Sequence, residues 1–104
     1  MRHAFTILLV LVTTLSMAQG IRPKGFPAYG LEMRIVAVDA ADYRIEADGL
    51  VHKVTRAVKV MTPELDRIFL FQIKPGTGAI IVKNKNATVT EIWLLPDNYP
   101  LMEN

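Results

Sequence analysis

Asp48-Gly49 lies between two segments that alternate apolar and polar residues, and this pattern constrains the fold more than any other feature of the chain. Before it, Tyr43, Ile45 and Ala47 alternate with Arg44 and Glu46. After it, Leu50, His52 and Val54 alternate with Val51, Lys53 and Thr55. Successive side chains of a strand point to opposite faces, so a period of two reads as a strand. A two-residue Asp-Gly loop favours a type I′ turn, whose twist matches that of the strands it joins. The resulting hairpin pairs Ala47 with Leu50, Ile45 with His52 and Tyr43 with Val54, and places all six on the inward face. Arg44 then faces Lys53 and Glu46 faces Val51. These pairs are not ideal, so a longer loop stays open as an alternative.

The rest of the chain continues in the same style. Leu31–Val38 is rich in β-branched residues, with Leu31, Met33, Ile35 and Ala37 on one face. Ala57–Met61 reads as a further short strand. Thr62-Pro63-Glu64-Leu65-Asp66 reads as a helix start of one or two turns, because Thr62 can cap, Pro63 suits the first helical position, and the acids favour the positive end of the dipole. Ile68–Ile73 is strongly apolar and fits either a buried strand or a continued helical turn. A turn over residues 74–78 precedes a strand at Ala79–Lys83. Asn84-Lys85-Asn86 makes a hairpin loop, and Ala87–Leu95 is the last strand. The expected fold is all-β: a small antiparallel barrel of five to six strands, OB-like or SH3-like, with one short helical turn. Closure would remove the sheet edges that invite aggregation.

Four regions follow. Residues 1–18 read as a signal-peptide helix: Arg2 and His3 start it, Phe5–Leu15 is apolar, and Ser16-Met17-Ala18 offers small residues at a cleavage site. The apolar run is about eleven residues, whereas a spanning helix needs roughly 20. Residues 19–29 form an extended lead-in, interrupted by Pro23 and Pro27. Residues 30–96 form the barrel and 97–104 a polar tail. The expected address is the periplasm or the exterior, with membrane contact only through an uncleaved signal.

Cleavage after Ala18 would leave 86 of the 104 residues, and the chain has no cysteine, so packing and strand pairing alone must hold it together. The only serine, Ser16, lies in the signal, and the only later histidine is His52. Acyl transfer by a Ser–His or Cys–His pair is therefore excluded after cleavage, and a zinc site lacks ligands. No enzyme activity and no cofactor are expected. Without Arg2, 11 basic residues stand against 10 acidic ones, interspersed as in Glu32/Arg34 and Asp66/Arg67. That spread argues against nucleic acid, which needs cations clustered on one face.

Few residues remain as candidates. His52 reads as a strand residue bonded to backbone rather than a ligand. Asp39 and Asp42 read as ordinary turn aspartates. Gly76 and Gly78 belong to a turn and lack the third glycine and the helix of a phosphate cradle. Asn86-Ala87-Thr88 fits the N-glycosylation pattern, which has meaning only in a host that uses it. Phe69 and Phe71 are expected in the core. The alternative is that Phe69 and Phe71 join Trp93 and Tyr43 in a stacking platform for bases or sugars. Phe26, Tyr29 and Tyr99 place aromatic rings in the polar flanks, where they could meet a partner.

Several motifs carry a resemblance. Leu31–Asp39 resembles an opening strand of the type x-V-x-x-V-D. Tyr43–Gly49 resembles an I-x-I-D-G hairpin, and Ile73-Lys74-Pro75-Gly76 an L-K-P-G turn. Val89–Pro96 is similar to a closing strand V-T-E-I-W-V-L-P. Together they are most similar to the short PilY-type accessory proteins of type IV fimbrial biogenesis. The Phe69-Leu70-Phe71 run departs from the commoner form. The resemblance implies an exported, non-enzymatic helper of pilus assembly whose partners are envelope proteins, and it assigns no functional residue. The alternative is a periplasmic barrel that binds oligosaccharide or nucleic acid through Trp93 and Tyr43.

Overall fold

The computed structural model describes residues 22–101. The expected signal, residues 1–18, lies outside them. Within them the chain forms β1 (Leu31–Asp39), β2 (Arg44–Ala47), β3 (Leu50–Met61), β4 (Arg67–Ile68), a 3₁₀ turn (Leu70–Gln72), β5 (Thr77–Lys83) and β6 (Val89–Leu94).

The Asp48-Gly49 hairpin has the expected register: Ala47 pairs with Leu50, Ile45 with His52, and Arg44 with Lys53. Asp48 and Gly49 both have positive φ, 55° and 74°, as a type I′ turn requires. The Val54 amide adds a bond of 2.9 Å to the Tyr43 carbonyl. Burial follows the alternation at Ile45, Ala47, His52 and Val54, but Leu50 is 62 % exposed. It sits at the tip of the hairpin, beyond the layer of side chains that could cover it.

The six strands form one sheet whose pairings run in a ring, β1–β2–β3–β6–β5 and back to β1, with β4 added beside β3. The sheet is mixed, which corrects the expected all-antiparallel arrangement. Val60 and Met61 of β3 run parallel to Ile92 and Trp93 of β6. A parallel pair needs a long crossover, and residues 62–88 supply it. Alternation encodes which face a side chain takes but not strand direction, so the sequence pattern could not reveal this pairing.

Three local expectations also change. Ala57–Met61 is not a separate strand but the end of the 12-residue β3, since no glycine or proline interrupts Leu50–Met61. Thr62–Asp66 is a tight turn and not a helix start. The Thr62 Oγ accepts the Asp66 amide at 3.0 Å, and the Thr62 amide donates to the Asp66 carbonyl at 2.8 Å. Thr62 and Pro63 suit a turn as well as a helix, and five residues are too few to repay helix nucleation. Ile68–Ile73 divides between the two readings: Arg67–Ile68 pairs with β3, and Leu70–Gln72 forms the 3₁₀ turn.

The main core fills the ring, with Ile35, Ile45, Val60, Ile81, Val89 and Ile92 fully buried. A bulge between Ile35 and Ala37 shifts the phase of β1, so Val38 rather than Ala37 packs on the core. Strands β5 and β6 are buried on both faces. Their outer side carries a second cluster of Ile80, Trp93 and Leu95, covered by Phe26 from the lead-in and by Tyr99 and Leu101 from the C-terminal segment.

Candidate interaction site

The five aromatic residues singled out from the sequence do not form one site. Phe26, Trp93 and Tyr99 belong to the second cluster. The Phe26 ring lies 5.4 Å from that of Trp93 at 54°. Trp93 is 8 % exposed, its Nε1 donates to Glu91 Oε1 at 2.8 Å, and the Lys59 ammonium lies 4.8 Å from its ring centroid. All of its polar and most of its apolar surface is thereby engaged.

The same region holds the lead-in in place. The Arg22 guanidinium donates to Glu32 Oε2 and to the carbonyls of Pro27, Tyr29 and Gly30, and the Tyr99 hydroxyl donates to the same Glu32 oxygen at 3.0 Å. Both flanks of the domain therefore converge on one carboxylate. Burial, and next the hydrogen bond to Glu32, raise the Tyr99 pKa. Gly30, at φ 95°, passes so close to β5 that a Cβ would lie 2.8 Å from the Ile80 Cγ2 and 3.0 Å from the Ile81 carbonyl oxygen. Tyr29 does not belong to this cluster and is 61 % exposed.

Other candidates take structural roles. His52 is buried, and its Nε2 donates to the Ala47 carbonyl at 3.0 Å. Asp39 Oδ1 accepts the Asp42 amide at 3.2 Å, and Arg44 bridges Asp39 and Asp42. The Asp42 amide, then the Arg44 bond, hold the Asp39 pKa below the usual value. The Gly76 amide bonds Ile35, and Gly78 lies under Leu101. Asn86 sits in an exposed loop whose Asn84 Oδ1 accepts the amides of Asn86 and Thr88. Among the described residues, no group of three or more His, Cys, Asp or Glu side chains could hold a metal ion, and no helix is long and apolar enough to cross a membrane.

The surface that stands out is elsewhere. Phe69 and Phe71, expected in the core, are 69 % and 68 % exposed. Their rings stack on each other at 5.7 Å and 7°. The reason is local. Phe69 precedes the 3₁₀ turn, and Gln72 Oε1 accepts its amide at 2.8 Å. With about three residues per turn, the short turn sends Leu70 and Ile73 into the core and leaves both phenylalanines outside.

The pair borders a cleft of about 540 Å³ lined also by Tyr43, Arg56, Arg67 and Ile68. The Arg56 guanidinium lies 5.4 Å from the Tyr43 ring centroid. No carboxylate lines this cleft. Sequence reasoning named Tyr43, Phe69 and Phe71 but favoured the core for the phenylalanines, and it missed Arg56, Arg67 and Ile68. The only signal was the Phe-x-Phe spacing before a turn, concealed within the apolar run Ile68–Phe71. No family model matches the chain, and no curated protein or solved structure does either.

Proposed function

We propose that this chain is an exported, non-enzymatic accessory protein that works by docking an envelope protein on the Phe69–Phe71 surface. The observation that carries the reading is the exposed, mutually stacked pair. Burying one phenylalanine is worth about 1.5–3 kcal/mol. Two of them held in water at the rim of a cleft mark a surface that gains by being covered. The groups most able to do chemistry support the same reading, because His52, Asp39, Asp42 and Glu32 are engaged in hydrogen bonds that hold turns and termini.

For the setting, the motif resemblance suggests assembly of a surface structure such as a type IV pilus. For the fold, the ring order suggests an OB-like barrel over an SH3-like one, because a three-stranded meander closes through a parallel pairing onto the last strand. The alternative function, stacking of bases or sugars on Trp93 and Tyr43, has less support. Phe26 lies against Trp93, and Arg56 lies against Tyr43.

The test is genetic. A strain carrying Phe69→Ala with Phe71→Ala is expected to lose surface pili and twitching motility as fully as the gene deletion, at normal protein level. Normal piliation in the deletion strain would remove the pilus from the proposal. A double variant indistinguishable from the parent, in a system where deletion has an effect, would remove the docking surface.

A further inference from the structure

The cleft coincides with a break in the ring. Strand β2 pairs with Leu50–Lys53 of β3, and β4 pairs with Val60 and Met61. The parallel pairing with β6 touches Val54 and resumes at Lys59. Residues 55–58 therefore form a bulge opposite Thr90, and on the other side they lie between the segments paired with β2 and with β4. The Ala57 amide is taken by the Thr55 hydroxyl at 3.0 Å, a local substitute for a ladder bond. Arg56, Ala57 and Val58 line the cleft, with Tyr43 at one end and Arg67, Ile68, Phe69 and Phe71 at the other.

We infer that this gap receives an extended acidic peptide segment of the partner, laid along residues 55–58 of β3 as an added strand. An unpaired stretch of strand is a template for main-chain pairing, and adding a strand to it is an established mode of peptide recognition. At about 3.3 Å per residue, four to six residues of peptide would span the gap. Side chains of such a segment alternate. One set would meet the apolar rings of Tyr43, Phe69 and Phe71, and the other the guanidinium groups.

Charge selects the peptide. Arg56 and Arg67 line the cleft, and no carboxylate is among its lining residues. Among the described residues, Arg22 pairs with Glu32 and Arg44 with Asp39 and Asp42, and neither Arg56 nor Arg67 takes part in these ion pairs. Guanidinium groups bind carboxylates through two parallel hydrogen bonds. Two cations suit a segment with one or two carboxylates. The adjoining surface carries Arg44 and Lys53 beside Arg56, with Asp42 held by Arg44. The open strand edge, which pairs with a peptide main chain and not with a nucleic acid, favours the peptide. This inference rests on the docking reading above and adds the chemistry of what docks.

The test uses the full chain, purified after export, and a blocked six-residue peptide of alternating Asp and Phe. Its counterpart with Lys in place of Asp is the control. Calorimetry is expected to show the Asp peptide binding at least tenfold more tightly than the Lys peptide. Amide shifts should centre on residues 55–58 and 67–71. Arg56→Glu with Arg67→Glu, and separately Phe69→Ala with Phe71→Ala, should each weaken binding at least tenfold while leaving the melting temperature within a few degrees. No binding, equal binding of the Lys peptide, or shifts elsewhere would overturn the inference. So would preferred binding at these residues of a ten-nucleotide oligothymidylate, of phosphatidylglycerol vesicles or of a second copy of the chain. If such a result accompanies lost piliation in the Phe69/Phe71 strain, the peptide chemistry falls and the docking surface stands. If that strain is normal, both fall.

Discussion

The molecule carries two aromatic pairs of nearly equal spacing and opposite placement. Phe26 and Trp93 lie 5.4 Å apart and tilted, inside a cluster closed by both flanks of the domain. Phe69 and Phe71 lie 5.7 Å apart and parallel, in solvent. Stacking of either pair contributes about 0.5–1.5 kcal/mol beyond area burial, so the ring contact itself does not distinguish them. What differs is the surroundings. The first pair has Ile80, Leu95, Met61 and Leu101 around it, whereas the second faces a cleft and water. The first is therefore closed by the fold and the second is left open to solvent.

Substitutions should separate these roles. The largest effect is expected for Trp93→Ala, which empties a buried site and should cost about 3–5 kcal/mol of stability, measured by denaturant unfolding. A cost below about 1 kcal/mol would show that the lead-in and tail do not close over Trp93. In the parent, Trp93 emission should be blue-shifted and poorly quenched by acrylamide.

Gly30→Ala comes next. The φ of 95° and the 2.8 Å approach to Ile80 predict a loss of about 1–3 kcal/mol. Its readout should include faster amide exchange around Phe26, because Gly30 brings the lead-in onto β5.

Tyr99→Phe removes one bond to Glu32 and should cost about 1 kcal/mol. It also changes the alkaline limb. The Tyr99 pKa is raised in the folded state, so its contribution is fully present below the ordinary tyrosine pKa of about 10. It is lost as pH rises through the higher folded value. The melting temperature of the parent should therefore fall more steeply than that of Tyr99→Phe above about pH 10. Parallel curves would mean that the tail is not held through this hydroxyl.

The smallest stability effect belongs to the exposed pair. Phe69→Ala and Phe71→Ala should each cost no more than about 1 kcal/mol, the ring contact they share, although together they should abolish partner binding. A loss of several kcal/mol would place them in the core after all and dissolve the contrast between the pairs.

Much of the local structure was legible. The Asp-Gly turn and its flanking alternation give the β2–β3 register residue by residue, because a two-residue loop leaves no freedom in the pairing. The bond of His52 to backbone and the turn chemistry of Asp39 follow from residue type and neighbours. The bulge after Ile35 was not legible, since one inserted residue changes phase without changing composition. Phe69 and Phe71 were misplaced for a related reason. Hydrophobicity predicts that a ring gains from burial but not that the fold has room for it.

The sequence by itself determined that this is a strand-rich chain without cysteine, with its tightest turn at Asp48-Gly49 and few groups able to do chemistry. Only the tertiary structure decided which aromatics are spent on the core and which are left outside. That choice depends on the parallel pairing of β3 with β6, on the bulge at residues 55–58, and on both flanks folding back over Trp93. Each of these joins segments far apart in the chain. Alternation and turn propensity act over a few residues, whereas the burial of a given ring is settled by whatever distant segment arrives to cover it.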